Sequence, residues 1–147
     1  MAMMLCAIVG ASACAAKLDP AKLSGDWFAP AEDAEDVDAT ISLSNDNGVW
    51  RGQIKAIKPT RTDQKLLDNT PCHVCSGLKH DQLLKGLEVI WGMHETDGVL
   101  QSGQILDPSD GAIYNCEIRM SSDGKRLDVL AYKGMRWLGH TMTWLRQ

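Results

Sequence analysis

The sequence predicts an all-β protein, a single eight-stranded antiparallel up-and-down barrel. Three observations carry that expectation. Short runs of alternating apolar and polar residues recur along the chain. Clusters of Gly, Asn, Asp and Pro separate them as turns. No repeat, heptad or low-complexity tract competes with this rhythm. Closure is expected because an open sheet of hairpin-linked strands would leave two unpaired edges.

The strands can be read off in order. Leu23–Phe28 is the first apolar run. In 37–43, Val37, Ala39, Ile41 and Leu43 share one face. Asn45-Asp46-Asn47-Gly48 then turns the chain, because Asn-Gly takes the positive φ that tight hairpins demand. Val49–Ile57 is the partner strand. The segment Lys58–Lys85 breaks the rhythm with Pro59, Pro71 and a Cys pair. It reads as a long excursion with one helical turn around Asp81–Leu84. Strands resume at Leu87–Met93 and Val99–Leu106, joined through Thr96-Asp97-Gly98. After the turn 107–111, Ala112–Met120 places Tyr114, Cys116, Ile118 and Met120 on one face. Arg126–Tyr132 and His140–Arg146 complete the set.

At 147 residues the chain holds one domain and can bury a sizeable core. Its net charge of −4 argues against nucleic acid as the main partner. Residues 1–16 carry no charged side chain and end in small residues around Ala13-Cys14-Ala15. The run is shorter than the roughly 20 residues that span a bilayer. It has the form of a secretory signal, although a basic start is missing. The expected organisation is a signal over 1–16 and a barrel over 17–147, with a periplasmic or secreted product. Membrane attachment would require acylation of Cys14, which lies in a loosely lipoprotein-like setting.

Gly25-Asp26-Trp27 opens the first strand, and Arg146 lies one residue from the end. A G-x-W at the start of such a barrel resembles the lipocalin signature. The resemblance implies that Trp27 closes the base and that Arg146 stacks across it. Further motifs follow in order: Cys72-x-x-Cys75-x-Gly77, Gly103-x-Ile105-Leu106-Asp107-Pro108-x-x-Gly111-x-x-Tyr114-x-Cys116, and Leu138-Gly139-x-Thr141-x-x-Trp144-x-Arg146. Over about residues 23–146 this order and spacing resemble the bacterial domain-of-unknown-function family 2147. That resemblance implies a small secreted protein with a lipocalin-like fold, and implies no activity.

If the signal is removed, Cys72, Cys75 and Cys116 remain. Three thiols in an oxidising compartment make one bridge and one spare. Cys72 is expected to pair with either Cys75 or Cys116, with no metal needed. Two other readings use the same residues. Zinc could take the three cysteines with His73 or His80, and a redox pair would need a helix after Cys75 that the sequence does not offer. Asp107-Pro108-Ser109-Asp110-Gly111 reads as a turn and not as a cation loop. The acidic residues Glu32, Asp33, Glu35, Asp36 and Asp38 read as a solvated loop at the barrel mouth.

No nucleophile–base set, phosphate loop or cofactor motif is present in the sequence. The leading expectation is therefore non-catalytic binding of a small apolar or amphipathic molecule inside the barrel. Trp27, Trp50, Trp91, Trp137 and Trp144, five Trp against one Phe, either pack a core or line such a cavity. The chosen ligand contacts are Trp50, Trp91, Tyr114 and Tyr132. A second expectation is a filled barrel acting as an envelope interaction module through Lys58–Lys85. A third is a thiol or zinc protein using Cys72 and Cys75.

Overall fold

The computed structural model describes residues 17–32, 38–59 and 67–147. The signal segment with Cys14, the acidic residues Asp33, Glu35 and Asp36, and part of the excursion lie outside those residues. Eight antiparallel strands close into a barrel in sequence order. They are β1 (Gly25–Ala29), β2 (Asp38–Asp46), β3 (Val49–Lys58), β4 (Glu88–Thr96), β5 (Val99–Leu106), β6 (Ile113–Met120), β7 (Arg126–Tyr132) and β8 (His140–Arg146). The ring closes where Trp27 pairs with Arg146 and Phe28 with Leu145.

Turn chemistry fixes the hairpins. Asn47 at φ 51° with Gly48, and Asp97 at φ 51° with Gly98, place two successive residues at positive φ. Such turns match the twist of the strands they join. Odd-numbered strands therefore start at one end of the barrel, and even-numbered strands start at the other.

The end at which β1 begins is plugged. Leu23 does not start a strand but ends a one-turn helix, α1 (Pro20–Leu23), whose Asp19 cap accepts from the Ala21 amide. Leu23 is fully buried, and its carbonyl accepts the Trp27 indole N–H at 2.9 Å. The lower interior above it is filled by Leu43, Trp50, Met93, Leu100, Ile118 and Leu127, all buried.

Two local expectations shift. The helical turn in the excursion lies at Gly77–Lys79 and not at Asp81–Leu84. Asp81 takes φ 62°, which no right-handed turn accepts, and its carboxylate sits between His73 and His80. Trp137 neither packs a core nor lines the barrel cavity. It occupies the short 3-10 turn Arg136–Leu138 between β7 and β8, and is 76% exposed. Arg136 anchors that turn by a paired contact at 2.6 and 2.7 Å to Glu117, a buried carboxylate on β6.

Cys72 and Cys75 form the disulfide, with Cα atoms 5.4 Å apart. Their loop packs on the β5–β6 turn. Gly111 takes φ 77°, and a Cβ there would come within 2.1 Å of the Val74 carbonyl oxygen. Glycine is thus required at position 111 on two grounds, conformation and space. Cys116 is a free, buried thiol. Burial, and to a lesser degree the neighbouring Glu117 charge, push it from its ordinary value near 9 up to about 12. In the native protein it should resist iodoacetamide at pH 8 and react only when urea unfolds the chain; mass spectrometry of the alkylated protein reads this directly. The same shift means that Cys116 favours folding fully below the thiol's unfolded value. That contribution is lost as pH rises from about 9 through 12.

Candidate functional site

The upper half of the barrel is not filled. A cavity of about 290 Å³ opens at the end where even-numbered strands begin. Its walls come from positions on all eight strands. Ile41, Ile54, Ile105 and Tyr114 stand around it, and Ala131 and Met142 complete the far wall. Trp144 reaches into its floor and is itself buried. Small residues leave the space: Ala39 on β2 and Ala131 on β7 face inward where larger side chains would occupy the volume.

The mouth is polar. His140 Nε2 and Glu32 Oε2 meet at 2.6 Å on the rim, tying the start of β8 to the segment after β1. Asp107 and Ser109 of the β5–β6 turn stand on the opposite rim. The Lys133 ammonium lies 4.8 Å from the centroid of the Tyr114 ring, so one cation overlooks the opening. Among the described residues, no three His, Cys, Asp or Glu side chains gather to hold a metal ion. The arrangement is an apolar pocket under a polar lip. It can desolvate a hydrocarbon group and leave a polar head at the surface.

The four aromatic residues chosen as ligand contacts separate in the structure. Tyr114 lines the cavity. Trp50 faces inward but sits beside the Asn47–Gly48 hairpin, in the filled lower half, and is buried there. Trp91 and Tyr132 face outward. They share a cross-strand row with Gln104 and Asn115, both exposed on the outer surface. Interrupted pairing explains Trp91. The β3–β4 register shifts between Gly52 and Gln53, and both Val89 and Ile90 are buried, so the alternation slips by one residue before Trp91.

At the base, the Arg146 guanidinium lies 4.9 Å from the Trp27 ring centroid and donates to the Ser24 carbonyl at 2.8 Å. A Cβ on Gly25, which has φ 110°, would stand 3.3 Å from that guanidinium. The G-x-W pattern therefore has a steric reason: glycine leaves the place that the arginine fills. Asp26, between them in sequence, pairs with Lys55 on the outer wall. Its carboxyl is held below the usual range chiefly by that hydrogen bond.

Sequence reasoning passed over Met142, His140 and Lys133. The first was visible as an inward position of β8, opposite Val129. The two rim residues were recoverable as well, since the start of β8 and the end of β7 lie opposite the base that Trp27 and Arg146 close.

Residues 25–146 match the model of the family described as "Uncharacterized protein conserved in bacteria (DUF2147)". The chain belongs to this family. Among solved structures, this DUF2147 protein is similar to protein HP1028 from the human pathogen Helicobacter pylori, described as belonging to the lipocalin family. The similarity has a TM-score of 0.69 at 17% identity and covers 85% of this chain and 82% of that one. At that identity it shows the fold, which is a lipocalin-like barrel. No curated protein matches this DUF2147 chain in sequence.

Proposed function

We propose that this protein binds a small apolar or amphipathic molecule inside the barrel, without catalysis, in the periplasm or after secretion. The single observation that carries the reading is the open cavity over a plugged base. A filled barrel needs no inward alanines beneath a polar rim. At about 290 Å³ the space lies near the lower end of ordinary ligand pockets, and exceeds the roughly 150 Å³ that admits a benzene-sized guest. A short acyl chain or a single ring system is the matching size. Lys133 favours a ligand whose polar end is anionic or an acceptor.

The exported location rests on the sequence of residues 1–16 and on the Cys72–Cys75 bridge, which persists in oxidising compartments. Use of the remaining thiol as a nucleophile is disfavoured, because the buried Cys116 is held protonated.

The test is a titration of the purified protein with 1-anilinonaphthalene-8-sulfonate and with octanoate as competitor. Saturable one-to-one binding that octanoate displaces is the expected result. Absence of saturable binding by either compound overturns the reading. The interaction-module reading would then lead, on the exposed Val74, Leu78 and Leu83 of the excursion.

A further inference from the structure

The outer wall carries a second concavity, unrelated to the barrel interior. It has about 250 Å³ and is lined by Trp91, Gly92, Ser102, Gly103, Gln104, Asn115 and Tyr132. We propose that it is a binding site for a neutral saccharide unit.

The site is built by an irregularity in the sheet. Pairing between β4 and β5 runs Trp91↔Gln104 and then His94↔Gln101, so Gly92, Met93, Ser102 and Gly103 fall out of the ladder. Gly92 on β4 takes φ 68°, and Ser102 on the neighbouring β5, one position off the residue facing it, takes φ 67°. A serine at positive φ inside a strand is unfavourable, and such conformations persist where the surroundings enforce them, often at functional sites. Gly103 is equally constrained, since a Cβ there would approach the Met93 sulfur to 2.3 Å. Two distortions on adjacent strands dent the outer wall where a regular sheet would be flush.

The side chains around the dent match one ligand chemistry. Trp91 and Tyr132 stand at the two ends of a cross-strand row, with Gln104 and Asn115 between them. A pyranose ring offers an apolar C–H face edged by hydroxyls. Indole and phenol rings suit the face, and primary amides suit the edge, because each amide donates and accepts at once. The side chains of Gln104, Asn115 and Ser102 and the Tyr132 hydroxyl make no hydrogen bond to any other described residue. Their capacity is left for a ligand. No charged side chain lines the pocket, which disfavours phosphates and organic acids and favours a neutral guest.

One aromatic wall is held in place. The Lys79 ammonium lies 4.7 Å from the Trp91 ring centroid and donates to the Glu88 carbonyl at 2.9 Å. The excursion thus clamps the indole, so binding need not immobilise it.

The experiment is a two-dimensional NMR titration of the isotope-labelled full chain with maltotriose and with N,N′,N″-triacetylchitotriose. Saturable shifts at the Trp91 indole N–H and the Gln104 and Asn115 side-chain amides are expected from at least one of them. Affinities about the millimolar range suit a shallow site. The double variant Gln104→Ala, Asn115→Ala removes only exposed groups and should keep the native spectrum while weakening binding at least roughly tenfold. The affinity for 1-anilinonaphthalene-8-sulfonate should be unchanged in that variant, which separates this site from the barrel cavity. No saturable shift with either sugar overturns the proposal, as do shifts that persist unchanged in the double variant or that map to Ile105 and Tyr114.

Discussion

Trp27→Ala should cost about 3–5 kcal/mol of folding stability, the range for emptying a packed aromatic position. Trp27 is wholly buried, its N–H is satisfied by the Leu23 carbonyl, and it supports both α1 and the Arg146 guanidinium. Nothing near it can collapse into the gap without unplugging the base. Arg146→Ala should cost less, about 1–2 kcal/mol. It removes a stacked cation and one hydrogen bond at a site still open to solvent. Urea titrations of both variants give the two values. Neither residue lines the cavity, so the folded variants should bind an apolar probe with nearly wild-type affinity. A loss below about 1 kcal/mol for Trp27→Ala would mean that the base is loosely packed. The contrast of filled base and open mouth would then fail.

That contrast also explains which parts of the site were legible in the sequence. Strand identity followed from alternation and from the Asn47-Gly48 and Asp97-Gly98 turns, whose geometry is local. The Trp27 and Arg146 arrangement is long-range, yet short motifs at both ends of the barrel domain announced it. Which end of the barrel an inward residue occupies was also recoverable. In an up-and-down barrel Trp50, near the start of β3, must share the end of Trp27 near the start of β1. Tyr114, near the start of β6, must lie at the other. Composition alone treated the two as equivalent. Tyr132 was decidable on the same grounds, because Leu127, Val129 and Ala131 occupy the inward face of β7 and leave Tyr132 outside.

Trp91 differs in kind. Strict alternation from the inward Val89 would turn it into the barrel. The register shift beside Val89 and Ile90, with the positive φ at Gly92, reverses that assignment. A second shift, between Trp50 and Gly52, returns Met93 to the interior, so the reversal is confined to the stretch around Trp91. No turn residue marks this bulge in the sequence. Glycine at position 92 is a hint only once the neighbouring strand is known. The residue therefore moved from the expected cavity to the outer wall, where it meets Tyr132 again at a different concavity.

Filling the cavity from its own wall should abolish binding with little loss of stability. Ala131 faces inward on β7, opposite Cys116 and His140, and lines the pocket. Ala131→Phe places a ring in that space, and aromatic residues are well tolerated in strands. If the volume is free, the new side chain buries apolar surface without displacing neighbours. The change in stability should then lie within about 1 kcal/mol. In a close-packed interior the same insertion costs roughly 1–3 kcal/mol through strained rotamers. Binding should respond in the opposite manner. The ring occupies the place of the ligand, so affinity for an apolar probe should fall by about a hundredfold or more, equivalent to roughly 2.7 kcal/mol. The outer-wall site lies on the other face of the sheet and should keep its saccharide affinity. Calorimetric unfolding and fluorescence titration on one preparation give both quantities. A destabilised variant that still binds the probe would place the probe elsewhere on the molecule. A stable variant that has lost it shows that the space above Trp144 is the binding site, because only steric exclusion separates the two effects.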